Sequence, residues 1–86
     1  MYTVTKRNKR YFIRDDMMIS LKKYIDRGIL PGSFLRSILY NDFVGALGHA
    51  DEDNFENVQA YASYLYNETP SLCWGSKEKV AQGNNV

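Results

Sequence analysis

The densest run of chemistry-bearing side chains is Lys6-Arg7-Asn8-Lys9-Arg10-Tyr11-Phe12-Ile13-Arg14, which sets five cations and two aromatic rings within nine residues and includes no carboxylate. Cations attract phosphate and ring faces stack on bases, so this spacing points to single-stranded nucleic acid or a nucleotide as ligand. The same residues also read as a solvated turn or a flexible amino-terminal arm. A pI near 7.8 argues against a protein that coats DNA, for which values above about 9 are usual.

Other chemistries find the residue types but not the pattern. Cys73 as thiolate, His49 as base and Asp51 or Asp42 as orienter would make a nucleophilic set. No strand-turn-helix elbow surrounds the cysteine, and a cysteine beside a tryptophan reads as a small buried hydrophobe. No enzyme is expected. Asp51-Glu52-Asp53-Asn54-Phe55 fails as a calcium loop, because Phe55 stands where an oxygen ligand is needed, Glu56 replaces the sixth-position glycine and Ala62 occupies the twelfth position. One histidine and one cysteine fall short of a structural zinc set, so no metal is expected. Gly45-Ala46-Leu47-Gly48 lacks the lysine of a phosphate loop and the third glycine of a dinucleotide turn, and no cofactor is expected. The seven tyrosines either line a small-molecule pocket or edge the core with wet hydroxyls. Trp74, with Tyr64 and Tyr66 nearby in sequence and Asp51, Glu52, Asp53 and Glu56 at the other end of the helix, supplies the aromatic anchor and charged rim of a protein contact. Alternatively, Trp74 plugs the core.

The elements that would carry these groups are mainly helical. Tyr2-Thr3-Val4-Thr5 and Tyr11-Phe12-Ile13 are β-prone and flank the polar cationic run, which predicts a short hairpin or an extended arm over residues 1–14. Asp15 or Asp16 caps a first helix whose apolar residues Met17, Met18, Leu21, Tyr24 and Ile25 recur at helical steps, and Gly28 ends it. Pro31 opens a second helix bearing Phe34, Leu35, Ile38 and Leu39, which reaches about Asn41 or continues, kinked, through Leu47 at the expense of Gly45 and Gly48. The Asn41-Asp42 pair interrupts the apolar pattern either as a cap or as a partner-facing group, capping being the simpler reading. Asp51, Glu52 and Asp53 match the positive end of a helix that runs to about Asn67, with Phe55, Val58, Ala62 and Leu65 turned to the core and Tyr61, Tyr64 and Tyr66 around them. Thr69-Pro70 breaks it and Ser76 caps a last turn. The fold predicted is a small three- to four-helix domain over residues 15–82, with a frayed tail at 83–86.

Eighty-six residues with 44% apolar side chains and 14% aromatics make one folded domain. No apolar run exceeds three residues, so no membrane span and no leader are expected. A single cysteine offers no internal bridge and suits a reducing cytosol. Charge is segregated along the chain. Residues 1–40 carry nine cations against three carboxylates, whereas residues 41–76 carry six carboxylates and no cation. The two halves either neutralise one another within the fold or across a homodimer, or they present opposed surfaces that steer charged partners.

From Leu30 to Val80 the chain resembles a family of small, mostly uncharacterised proteins encoded by tailed bacteriophages. The stretches that carry the likeness are Leu30-Pro31-Gly32-Ser33-Phe34-Leu35, Leu39-Tyr40-Asn41-Asp42-Phe43, Ala50-Asp51-Glu52-Asp53-Asn54, Tyr66-Asn67-Glu68-Thr69-Pro70 and Cys73-Trp74-Gly75-Ser76-Lys77-Glu78-Lys79-Val80. Residues 1–14 lie outside it. The resemblance implies an accessory protein acting in the cytoplasm of a bacterial host and supplies no catalytic residues. The expectation is a non-enzymatic binder that blocks or modulates a host protein, a defence or transcription component, through a charged surface. The alternative is a nucleic-acid or nucleotide binder using Lys6, Arg7, Lys9, Arg10, Tyr11 and Arg14.

Overall fold

Arg7 and Asn8 both take left-handed backbone angles, with φ of 52° and 66°. They thereby form the two-residue turn whose twist matches that of antiparallel strands. In the computed structural model, which describes residues 1–83, this turn joins β1 (Tyr2–Lys6) to β2 (Lys9–Ile13), paired from Tyr2 opposite Ile13 to Lys6 opposite Lys9. Of the two forms open to residues 1–14, the hairpin is the one present. Strand alternation puts Tyr2, Val4, Tyr11 and Ile13 on the face that meets the core, where Ile13 is fully buried.

Helix α1 (Asp15–Arg27) follows at once and buries Leu21 and Tyr24, with Met17, Met18 and Ile25 packed beside them. The predicted cap differs. Arg14 occupies the cap position with no side-chain bond, and Asp15 and Asp16 sit inside the first turn, where they oppose the helix dipole by charge. Gly28 ends the helix in the left-handed region at φ 70°. Helix α2 (Ser33–Leu39) starts two residues after Pro31, because Gly32 takes the cap.

The middle helix stops rather than kinks. Asn41 adopts φ 62° and donates its N–H to the Ile38 carbonyl, while the Asp42 N–H reaches the Ser37 carbonyl. Together these close α2 in a Schellman turn that asparagine tolerates better than most residues. Asp42 then caps α3 (Phe43–His49) by accepting from the Gly45 N–H at 3.0 Å. The Asn41-Asp42 pair is therefore a double cap.

The segment expected as one helix from Asp51 is two. Asp51 caps α4 (Glu52–Glu56), and Asn57, at φ −115° and ψ 20°, separates it from α5 (Val58–Glu68). The break rotates the inward face. Phe55 and Ala62 point to solvent, Val58 is half-buried, and Asn54, Asn57, Ala60, Tyr61, Ser63, Tyr64 and Leu65 are buried. Two of the three tyrosines expected at the rim are core residues. Tyr61 meets the Phe34 ring edge-on at 5.1 Å and donates its hydroxyl to Asn54 Oδ1, and Tyr64 packs edge-on against Tyr2 at 5.1 Å. Past Thr69, a 3-10 turn (Ser71–Cys73) leads into α6 (Lys77–Gly83), capped by the Ser76 hydroxyl on the Lys79 N–H at 3.1 Å. The tail predicted at 83–86 lies, beyond Gly83, outside the described residues.

The core joins all of these elements. The Tyr24 hydroxyl donates to the Cys73 carbonyl at 2.7 Å, and the Gly75 N–H donates to the Leu39 carbonyl at 2.7 Å. Asn57 holds the hairpin. Its Oδ1 accepts the Phe12 N–H at 2.8 Å on the unpaired edge of β2, and its Nδ2 donates to the Asp53 carbonyl at 2.7 Å. The mainly helical fold with an amino-terminal hairpin is thus as anticipated, with six helices among the described residues rather than three or four.

Two predictions test these local assignments. Open space surrounds the position of a Cβ on Gly48, whereas one on Gly45 would strike the capping carboxylate of Asp42. Gly48→Ala should therefore stabilise by about 0.5–1 kcal/mol and raise the melting temperature by a few degrees. Gly45→Ala should give no gain, because displacing the cap costs about 1 kcal/mol. Equal gains in a circular dichroism melt would refute the role given to Asp42. Asn57→Ala strands the Phe12 N–H and should cost about 1–3 kcal/mol in urea denaturation.

Candidate functional site

The structure sorts the residues proposed from sequence into three places. Lys6, Arg7, Lys9 and Arg10 are exposed around the hairpin turn, and none is in an ion pair among the described residues. Tyr11 turns to the core face, with the Lys9 ammonium 5.7 Å from its ring centre. That leaves Phe12, half-buried on the opposite strand face, as the other aromatic beside this charge.

Arg14 does not belong to that cationic group. Its guanidinium reaches Asp51 at 2.9 Å, Asp16 at 3.2 Å and Asp53 at 3.4 Å. The two oppositely charged halves of the chain therefore meet at one point, where the end of β2 faces the start of α4. The Asp51 carboxylate is held below its ordinary pKa first by the Asn54 N–H it caps and then by Arg14. Arg14 is raised in turn, chiefly by Asp51. Asp51 and Asp53 are engaged here, while Glu52 and Glu56 are exposed on α4.

Trp74 stands elsewhere, in a groove of about 350 Å³ between α2–α3 on one side and α5 on the other. Ala46 and Leu65 contribute buried surface, Leu47 and Val58 are half-buried, and Phe43 and Tyr66 are 70% and 79% exposed. Asp42 is the one charged side chain lining it, and its carboxylate already caps α3. Trp74 is half-buried and packs against the core while also lining the groove, so both readings of it hold in part. Its indole N–H is buried without an acceptor among the described residues.

Sequence reasoning missed the groove's other walls. Of the two courses open to the second helix, the kinked continuation would have put Phe43 and Leu47 on its apolar stripe, whereas α3 is a separate helix that buries only Ala46. Tyr66 was set beside the core although it points out. The available signal was Asn41-Asp42, since a stop followed by a cap forces α3 to leave the line of α2.

Among the described residues no cluster of nucleophilic or titratable side chains lines the groove. Burial raises the Cys73 thiol pKa, which favours the protonated form, and its sulfur lies 3.1 Å from the Pro70 carbonyl. Among the described residues no three histidine, cysteine, aspartate or glutamate side chains gather where they could hold a metal ion, and no helix is long and apolar enough to cross a membrane. No protein-family model, curated protein or solved structure matches the chain. The site's chemistry must therefore be argued from its own side chains.

The Arg14 cluster yields a pH prediction. A carboxylate whose pKa is lowered by folding stabilises the native state above its unfolded value of about 3.9, and that contribution is lost as pH falls through the folded value. Asp51→Asn retains a good capping side chain but removes the charge. Urea midpoints measured from neutral to strongly acid pH should fall more steeply for the parent protein than for the variant. Parallel acid limbs would exclude Asp51 as a source of acid sensitivity.

Proposed function

We propose that this chain is a non-enzymatic binding protein that docks a segment of another protein in the groove between α2–α3 and α5. One observation carries this reading: a domain with little core has left Phe43 and Tyr66 largely exposed beside the half-buried Leu47, Val58 and Trp74. Burying such groups in the native core would favour folding, at about 25 cal/mol per Å² of apolar area. Grouped outward aromatics flanked by polar residues are the usual composition of a protein-binding patch. In the bacteriophage setting that the resemblance implies, the partner is a protein of the bacterial host whose surface is occupied and blocked. The acidic residues of α4 and the cationic hairpin turn would then steer encounter rather than supply most of the affinity.

A second reading rests on the unpaired hairpin cations. Lys6, Arg7, Lys9 and Arg10 surround one exposed turn, which suits contact with phosphates. It is the weaker reading, because Arg14 is diverted to carboxylates and Tyr11 faces the core. Both can be tested in one experiment. The parent protein, an Ala62→Glu variant that charges the exposed middle of the groove, and a variant with the four hairpin cations changed to alanine are each used to capture proteins and nucleic acids from bacterial lysate at low salt. The groove reading expects a stoichiometric protein, identified by mass spectrometry, that Ala62→Glu loses and the hairpin variant keeps. Retention of that protein by Ala62→Glu, with nucleic acid lost from the hairpin variant, would favour the second reading.

A further inference from the structure

The hairpin leaves the core before it ends. Its inward face packs as far as Val4 and Tyr11, which stand opposite one another, and every residue from Thr5 to Arg10 is exposed. At about 3.4 Å per residue this tip reaches about 10 Å beyond the last packed pair. Strand alternation distributes its charge over both faces. Lys6 and Lys9 share the Tyr11 face, Arg10 lies on the Phe12 face, and Arg7 occupies the turn. Carboxylates gather at the other end of the ribbon, where the Met1 amino group pairs with Asp15, and Arg14 with Asp16, Asp51 and Asp53.

The tip works against its own stability. Lys6 and Lys9 stand directly opposite across the strands, a placement that disfavours like charges. Arg7 holds φ 52° at a turn position that glycine, asparagine or aspartate occupies with less strain. Folding alone gives no reason for either choice, whereas an anion seated on the tip does.

The shape of the tip selects among anions. A single strand needs ring faces to stack on, but Tyr11 packs against the core and Phe12 is half-buried, its N–H held by Asn57. A membrane is flat and meets one face of a ribbon only, and no large apolar side chain is exposed between Thr5 and Arg10. A cleft walled by two rows of phosphates meets both faces. The major groove of B-form DNA, about 12 Å wide and about 8.5 Å deep, admits a two-stranded ribbon, whereas its minor groove, about 6 Å wide, and the narrow major groove of an RNA duplex do not.

We infer that the hairpin tip enters the major groove of double-stranded DNA, with Lys6 and Lys9 on the phosphates of one strand, Arg10 on those of the other, and Arg7 and Asn8 leading toward the base edges. This inference rests on the second, phosphate-contacting reading of the hairpin and is independent of the apolar groove between α2–α3 and α5.

The test measures fluorescence anisotropy of a labelled mixed-sequence DNA duplex of about 20 base pairs, the corresponding single strand and the corresponding RNA duplex, over a range of salt concentrations. Cosedimentation with phosphatidylserine–phosphatidylcholine vesicles is measured in parallel. The parent protein should bind the DNA duplex at least about tenfold more tightly than either other nucleic acid, with a slope of log affinity on log salt of about −3 to −4, as phosphate contacts by four cations require. Arg7→Asn and Lys6→Thr should each weaken binding several-fold and reduce that slope by about 1, yet melt at or above the parent temperature. A residue that merely holds the hairpin together would lose stability along with binding. At saturating protein, dimethyl sulfate methylation should fall at guanine N7, which lies in the major groove, and not at adenine N3, which lies in the minor groove.

Preference for the single strand or the RNA duplex, or protection of adenine N3, would overturn major-groove entry while leaving a phosphate-binding hairpin in place. Attachment to the vesicles alone would overturn it in favour of a flat anionic surface. If the folded parent protein bound no nucleic acid, or if both variants bound as tightly as the parent, the second reading would fall as well, and the apolar groove would be unaffected.

Discussion

A single buried amide, that of Asn57, ties together parts of the chain that are 45 residues apart. One end of it accepts from the outer edge of β2 and the other donates to the last turn of α4. A two-stranded hairpin is marginal by itself in water, so its order depends on what covers its free edge and its apolar face. Asn57 does the first, and Tyr64 packed on Tyr2 does the second. Because asparagine is a poor interior helix residue, the same side chain also stops α4. The break resets the phase of α5, which turns Tyr61 and Tyr64 inward and leaves Ala62 and Tyr66 outward. The hairpin, the core tyrosines and the groove all follow from this one position.

Arg14 acts beside that joint. The cationic first half and the anionic second half meet where Arg14 reaches Asp51, Asp53 and Asp16, so part of the charge segregation is resolved inside the fold. The three carboxylates are exposed and Arg14 is half-buried, and ion pairs near the surface contribute little individually. Their effect lies in what they remove from the surface. The hairpin turn keeps four cations that form no ion pair among the described residues, while Glu52 and Glu56 stay exposed on α4 and Asp42 lines the groove.

Small domains have a thin margin of stability, and among the described residues this one spends six of its twelve buried hydrophobic positions on aromatic rings or alanines: Tyr24, Phe34, Ala46, Ala60, Tyr61 and Tyr64. Phenol groups cost free energy to bury unless bonded, and both fully buried hydroxyls are satisfied, Tyr24 by the Cys73 carbonyl and Tyr61 by Asn54. Using tyrosines inside leaves Phe43 and Tyr66 outside. That inversion turns an expected core stripe into a candidate binding surface.

Local signals with a local cause were legible in the sequence. Gly28 ended α1, Thr69-Pro70 ended α5, Ser76 capped α6, and the acids at 51–53 marked a helix start, because each effect acts within a turn of the residue that causes it. The inner face of α1 was legible too, since one unbroken period describes it. What periodicity could not reveal was the break at Asn57, which reads as an ordinary polar residue until β2 lies beside it. Nor could it show that Arg14 leaves the basic run, or that Phe43, Tyr66 and Trp74 line one groove. Those outcomes depend on contacts between segments far apart in the chain. Side-chain type and spacing determine which elements can form, but only their packing decides which faces are left for other molecules.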